Sequence, residues 1–270
     1  MLNFLFWNVN GRSTDQLLTA LLSERQIDIL ILAEVPVSDS ELLLKINSGG
    51  GLVFQPTLDI SSRVRTFVRF PRHLVIPIRD APGVSIRHIE PPGRVPILVV
   101  AVHLPSKLYR DDREQAIGAT RLSRMIVEAE EKVGHSRTLV IGDFNMNPFE
   151  HGVVCADCFH AVMDRRIARQ GSRIVNGEER KFFYNPMWSF LGDISSGPPG
   201  TYFYNAGGQY NLFWNVFDQV LLRPALLEQF SDKNLQVVTQ IGEASLLTDS
   251  GRPNAAVGSD HLPIFVSLTG

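Results

Sequence analysis

Eleven short apolar runs, several of them bounded by a single polar residue, leave this chain of 270 residues room for only two long amphipathic segments. The runs at 2–7, 28–32, 52–54, 64–70, 74–78, 84–89, 96–102, 138–141, 216–222, 235–239 and 264–268 read as strands. A helix is predicted over 15–26, with Leu17, Leu18, Leu21 and Leu22 on one face. Another is predicted over 111–133, acidic in its first turn, carrying Ile117, Leu122, Met125 and Ile126, and stopped by Gly134. A short helix is expected after Asn147 with Pro148 in its first turn. The order is β-α-β, a run of strands, α-β, a loop-rich stretch over 155–215, then strands. It lacks the strict alternation of a doubly wound sheet, so two packed sheets with helices outside are expected.

Length suits a single domain over 1–270 with a substantial core. No apolar run approaches the roughly 20 residues that span a bilayer. The apolar start lacks a basic leader and breaks at Asn8, so it reads as a first strand, and a cytoplasmic protein is expected. The net charge of −2 argues against a strongly basic, sequence-blind nucleic-acid binder, while leaving room for a local basic groove. Cys155 and Cys158 form the spacing C-x-x-C; without a second cysteine pair, small buried hydrophobes are expected rather than a zinc or redox centre.

The segment Gly142-Asp143-Phe144-Asn145 follows the buried run Thr138-Leu139-Val140-Ile141, which is expected to end at Gly142. Asp143 and Asn145 therefore stand at a strand mouth. There a carboxylate can hold or deprotonate a water, and an amide can donate to a developing oxyanion. Similar punctuation recurs elsewhere. Asn8 and Asn10 follow the first run, Glu34 the second and His103 the run at 96–102. Asp218 opens Asp218-Gln219-Val220-Leu221-Leu222, and Ser259-Asp260-His261 precedes the last run. Taken singly, such residues are turn formers more often than catalysts. Together they supply carboxylates, carboxamides and two histidines, a set suited to Mg²⁺ or Mn²⁺ and to charge on phosphorus oxygens. A carboxylate behind a histidine, for which Asp218 is the candidate, fixes its tautomer and raises its pKa. The residues thus point to metal-assisted phosphoester hydrolysis.

At this point the chain resembles the endonuclease/exonuclease/phosphatase superfamily. The resemblance rests on Phe6-Trp7-Asn8-Val9-Asn10-Gly11, Ile31-Leu32-Ala33-Glu34, Val102-His103-Leu104, Gly142-Asp143-Phe144-Asn145, Phe217-Asp218-Gln219-Val220 and Ser259-Asp260-His261-Leu262-Pro263, in the family's order. It implies an α/β four-layer sandwich: two mixed β-sheets packed face to face with helices on the outside. It also implies a Mg²⁺- or Mn²⁺-dependent phosphoesterase, a nuclease first and a phosphatase or small-molecule phosphodiesterase second, with DNA, RNA or a small phosphoester as substrate. By resemblance, Glu34 is a metal ligand, with Asn10 and Asp260 beside the metal. Asn8 lies at the metal and phosphate, Asp143 orients the attacking water, and Asn145 contacts phosphate. His261 contacts phosphate and is aligned by Asp218, and His103 stabilises charge or protonates the leaving oxygen. Relatives often carry Asp where Asn10 stands. Ala33 before Glu34, Val35-Pro36 after it, and His103-Leu104-Pro105-Ser106 all depart from the abasic-site endonucleases. Asn147-Pro148 is similar to branches that include deadenylases and nucleotide phosphodiesterases.

Outside these motifs, Arg63, Arg65 and Arg69 alternate along a strand and form either a phosphate ribbon or a solvated face. Arg113, in the first turn of a helix, is expected to reach substrate phosphate or to pair with a neighbouring acid. Tyr184, Trp188, Tyr202, Tyr204 and Trp214 either stack on bases or pack locally. A catalytically idle binding module on the same fold is the reading from another class; it would be expected to lose Asp143 or His261.

Overall fold

A computed structural model describes residues 1–48, 53–57, 63–108, 110–205, 207–209 and 211–270. The chain begins β1 (Leu2–Asn8), α1 (Asp15–Glu24), β2 (Ile29–Ala33), α2 (Asp39–Ile46), β3 (Gln55–Pro56) and β4 (Val64–Val68). It continues through β5 (Val75–Ala81), β6 (Val84–Ile89), β7 (Ile97–His103), α3 (Asp112–Val133), β8 (Thr138–Asp143) and α4 (His151–Val154). Short elements follow: β9 (Ala161–Val162), α5 (Arg165–Ala168), β10 (Ser172–Val175), β11 (Glu178–Lys181), β12 (Phe183–Tyr184), β13 (Tyr202–Phe203) and β14 (Trp214–Asn215). The last strands are β15 (Asp218–Leu222), β16 (Phe230–Val237), β17 (Gln240–Ile241), β18 (Ala244–Ser245) and β19 (Ile264–Leu268).

Two large mixed sheets result, in the orders β16-β19-β1-β2-β4-β3 and β5-β6-β7-β8-β15-β12-β9. Each has a parallel pair at its centre, β1 with β2 and β7 with β8, flanked by antiparallel neighbours. Side chains alternate across a strand, and β7 shows the consequence. Val99 and Ala101 join Leu139 in the core between the sheets, which also takes Phe4, Ile31, Ile141 and Val220. Leu98, Val100 and Val102 face the other way, against Leu122, Ile126 and Ala129 of α3. On the opposite side α1 contributes Leu18, Leu21 and Leu22. The layers are therefore those expected of the sandwich.

Helix α3 is fixed at both ends as its sequence predicts. Asp111 and Glu114 form a reciprocal capping box, and Gly134 closes the helix in the left-handed conformation. Its buried stripe differs at one place, because Ile117 is exposed and Gln115 takes the inward position.

Several boundaries also differ. The strand containing Thr138 runs through Gly142 to Asp143 because β15 pairs with it as far as Asp218 opposite Asp143. Gly142 is required there: at φ +150° an added Cβ would meet the Val102 carbonyl oxygen at 1.9 Å. Pro148 stands outside the short helix, which begins at His151 after Glu150; the Glu150 side chain is bonded back to Asn147. Residues 53 and 54 are not strand, Leu52 lies outside the described residues, and the edge strand is β3. Helix α2 has too few residues to declare a period, although Ser38 caps it and Leu42 and Ile46 bury one face. The stretch over 155–215 is not only loop, because β9 and β12 extend the second sheet.

Candidate active site

The parallel pairs bring polar strand ends to one rim of the sandwich. In the second sheet His103, Asp143 and Asp218 lie side by side in register on three adjacent strands. Each is two residues from an inward core position, respectively Ala101, Ile141 and Val220, so all three project toward the first sheet. In the first sheet Asn8 pairs with Ala33, and Glu34 follows. His261 stands just ahead of β19.

The carboxylate of Asp143, only 1% exposed, is the hub. Its Oδ1 accepts from the Asn145 backbone N–H at 2.8 Å, and its Oδ2 accepts from Asn8 Nδ2 at 3.0 Å. His103 Nε2 lies 3.9 Å and His261 Nε2 4.0 Å from the same Oδ2. Asn8 reaches across to Glu34 Oε1 at 3.3 Å, which also faces His103 Nε2 at 3.3 Å. Asn145 donates through Nδ2 to the Leu104 carbonyl at 2.9 Å, and its own carbonyl accepts from Gln115 Nε2 at 3.0 Å. An amide nitrogen carries two hydrogens, so one donor of Asn145 remains for a ligand.

Behind the hub, His261 Nδ1 and Asp218 Oδ2 are 2.9 Å apart. Burial alone would push the imidazole pKa down. The charge and hydrogen bond of Asp218 outweigh it, with Asp143 and Asp260 adding to them, and raise it to about 10. His261 is thus held as imidazolium across the neutral range. Its ring packs on that of Tyr202, centroids 4.6 Å apart, and Trp7 Nε1 donates to its carbonyl at 2.9 Å. Ser259 Oγ donates to the Asn8 carbonyl at 2.7 Å and accepts from the His261 N–H at 3.2 Å. Thr201 Oγ1 accepts from the Asp218 N–H at 3.1 Å. Burial, with Asp260, Tyr204, Asp143 and Glu34 nearby, pushes the Tyr202 phenol up to about 12, so it remains a neutral donor.

Three polar residues at this rim adopt the left-handed backbone region: Asn10 at φ 46°, Glu34 at 54° and Asn145 at 50°. Strain of this kind concentrates where tertiary packing over-determines a functional geometry.

A cavity of about 810 Å³ opens over these groups. Asn10, Glu34, His103, Asp143, Asn145, Asp260 and His261 line it, along with Lys107, Phe149, Glu150, His151, Tyr202, Tyr204 and Leu212. Asn8 and Asp218 stand behind the wall. Arg113 is exposed on α3 and does not line the cavity, so it is the one sequence-designated site residue that the fold leaves apart. Arg65 and Arg69 are engaged elsewhere, the former with Val35, Val37 and Asp39, the latter over the Phe54 ring. Of the five aromatics, Tyr202 and Tyr204 reach the cavity, while Tyr184, Trp188 and Trp214 pack on Phe230, Phe149 and Phe203. Trp7, Thr201 and Gln115 were not designated by the sequence; each acts through a bond to a residue far away in the chain.

Two donor sets differ in kind. Asp143, Asp218 and His261 hold ligand atoms within 4.8 Å of one another, a group able to bind an ion. Asp218, however, is fully buried against His261. Glu34, whose side chain is 40% exposed, and Asp260 and Asn10 instead present oxygens at the cavity wall. An all-oxygen set of this kind fits a hard divalent cation.

The model of the Endonuclease/Exonuclease/phosphatase family matches residues 5–261. No curated protein matches the sequence. Among solved structures, truncated Caenorhabditis elegans TDP2 superposes with a TM-score of 0.59 at 16% identity, covering 100% of this chain and 98% of that one. An AP endonuclease from Archaeoglobus fulgidus gives 0.58 at 16%, covering 99% of each chain. The 3′ phosphatase NExo from Neisseria, bound to a product DNA hairpin, gives 0.57 at 16% and covers 100% of both. At such identities the likeness to these structures is one of fold.

Proposed function

The chain belongs to the endonuclease/exonuclease/phosphatase family, and from that premise we propose that it acts as one domain, a divalent-metal-dependent phosphodiester hydrolase whose substrate is nucleic acid. Enzymes of the family are generally dependent on divalent metal and include nucleases and phosphatases. The observation that carries the reading is the Asp143 carboxylate, fixed by Asn8 and Asn145 and set between two histidines, one of them held as imidazolium.

Glu34, Asp260 and Asn10 would hold Mg²⁺ or Mn²⁺. When bound, such an ion lowers the pKa of water and offsets charge on phosphorus oxygens. Asp143 accepts the proton of the attacking water as its oxygen forms the new bond to phosphorus and the ester P–O bond breaks. Charge accumulating on the non-bridging oxygens is met by the His261 imidazolium and the remaining Asn145 donor, both oriented beforehand by hydrogen bonds to Asp218 and to the Leu104 carbonyl. Asp218 keeps His261 charged and oriented. His103, in the same cavity, supplies the proton to the leaving oxygen. Tyr204, exposed at the cavity and stacked on Tyr202, offers a face on which a base can stack.

A small phosphoester is the second reading. Lys107 is the one lysine or arginine among the described residues lining the cavity, and it is tied to Glu150 at 2.5 Å. A panel of plasmid, single-stranded DNA, RNA, nucleotides and inositol phosphates, assayed after EDTA treatment and with Mg²⁺ or Mn²⁺ restored, tests both. The nuclease reading expects metal-restored cleavage of polynucleotide and binding that weakens steeply with salt. Turnover confined to small esters, insensitive to salt, would favour the second. Undiminished hydrolysis in EDTA would refute both.

A further inference from the structure

The Cys-x-x-Cys pair gains a third partner in the fold. His151 opens α4 and Cys155 is the residue that ends it; the Cys155 N–H donates to the His151 carbonyl at 2.9 Å, so the two side chains lie one helical turn apart. The Cys158 N–H donates back to the Cys155 carbonyl at 3.0 Å, turning the second sulfur toward the first. His160 N–H to the Cys155 carbonyl at 3.1 Å fixes the end of that turn. As a result, one imidazole nitrogen and the two sulfurs of His151, Cys155 and Cys158 all lie within 4.8 Å of one another. Both thiols are free.

From this geometry we propose a second metal centre, a Zn²⁺ site with His151 Nδ1 or Nε2 and the sulfurs of Cys155 and Cys158 as ligands. The donor chemistry selects the ion: two thiolates and an imidazole suit a borderline-soft d¹⁰ cation and are wrong for the hard ion of the oxygen-lined site. Bond lengths of about 2.3 Å to sulfur and 2.0 Å to nitrogen put tetrahedral ligand atoms about 3.5–3.8 Å apart. An outer partner is within reach as well. Cys158 Sγ is 3.4 Å from Thr120 Oγ1 on α3, whose hydroxyl donates to the Ala116 carbonyl at 3.0 Å and would have to turn to donate to a thiolate. A water would complete the tetrahedron, as in other three-ligand zinc centres. The centre would tie α4 to the turn that follows it, and because His151 and Gly152 line the main cavity, it would stiffen that part of the wall.

The ligand sulfurs are the only two in cysteine side chains of this chain, which makes the test specific. Reduced protein is stripped with chelator, titrated with Co²⁺ and then with Zn²⁺, and followed by absorption and by elemental analysis after gel filtration. Expected is one equivalent of Co²⁺ giving an intense thiolate-to-metal charge-transfer band and tetrahedral d–d bands, displaced by one equivalent of Zn²⁺. Cys155→Ser and Cys158→Ser, checked for native thermal unfolding, should each lose the band while keeping Mg²⁺-dependent hydrolysis. His151→Ala should weaken binding and shift the d–d bands. Absence of the charge-transfer band in reduced wild type, or its survival in either serine variant, overturns the proposal. Co²⁺ retained through gel filtration without that band would also overturn it, since the metal would then sit among oxygen ligands.

Discussion

Replacing Asp218 by Asn removes the main partner that keeps His261 charged while leaving a side chain of the same size. The rise of the imidazole from 6.5 to about 10 corresponds, as an upper bound, to about 5 kcal/mol of preference for the protonated ring. Without the carboxylate the two largest upward causes are gone, and burial, the largest single cause, again pulls the pKa down. Fewer molecules then carry imidazolium at neutral pH, and loss of ring orientation adds to the cost, so the loss in kcat should approach the roughly 10⁴-fold seen when a buried aspartate behind a catalytic histidine becomes asparagine. Residual activity should rise toward acid pH, opposite to any trend shared with wild type. Stability carries the same signature. A pKa raised in the folded state contributes stability that is complete below about 6.5 and is lost as pH rises through about 10. Urea unfolding of wild type should therefore weaken between about pH 6.5 and about pH 10, and the Asp218→Asn protein should lack that component. The assays are kcat and KM against pH at saturating metal, together with NMR titration of the His261 ring. A variant whose profile matches wild type and whose ring still titrates near 10 would refute the assignment of Asp218.

Asp143→Asn keeps the size of the side chain and one of its two acceptor oxygens but removes the proton acceptor, so kcat should fall by about 10²–10⁴-fold, with a modest drop in unfolding temperature for the hub hydrogen bond that is lost. Near-native turnover would end the case for Asp143 as base. Gly142→Ala places a methyl at 1.9 Å from the Val102 carbonyl in a backbone region disfavoured for alanine. It should cost about 3 kcal/mol or more by chemical denaturation and should separate β7 from β8; a loss within experimental error would show that the strands can part without penalty.

The strand ends were legible because hydrophobic period and polar interruption coincide. Ala101, Ile141 and Val220 each announce an inward residue two positions away, and His103, Asp143 and Asp218 occupy those positions. The capping box and Gly134 give α3 its limits for an equally local reason. Legibility ends where the cause is distant. Nothing near Glu34 or Asn145 in the chain foretells their left-handed backbone, which the packing of neighbouring strands imposes. Thr201 and Gln115 are ordinary loop and helix residues until β15 and the Asn145 turn arrive beside them. Arg113 is apt by sequence because it sits in a first helical turn close to His103, but α3 presents it to solvent. The spacing of Cys155 and Cys158 does not by itself show that His151, one helical turn upstream, stands beside them.

Trp7 grips the His261 carbonyl across 254 positions, and β1 joins β19 from Leu2 against Leu268. Such a bond closes a very long loop of the polymer, and its entropic toll falls late in assembly. A nascent chain still short of residue 261 carries its hub carboxylate without the imidazolium that faces it. Hydrolytic competence would thus switch on only after the final strand of the first sheet has emerged, and cleavage ahead of that strand would disarm the molecule even with every other layer intact.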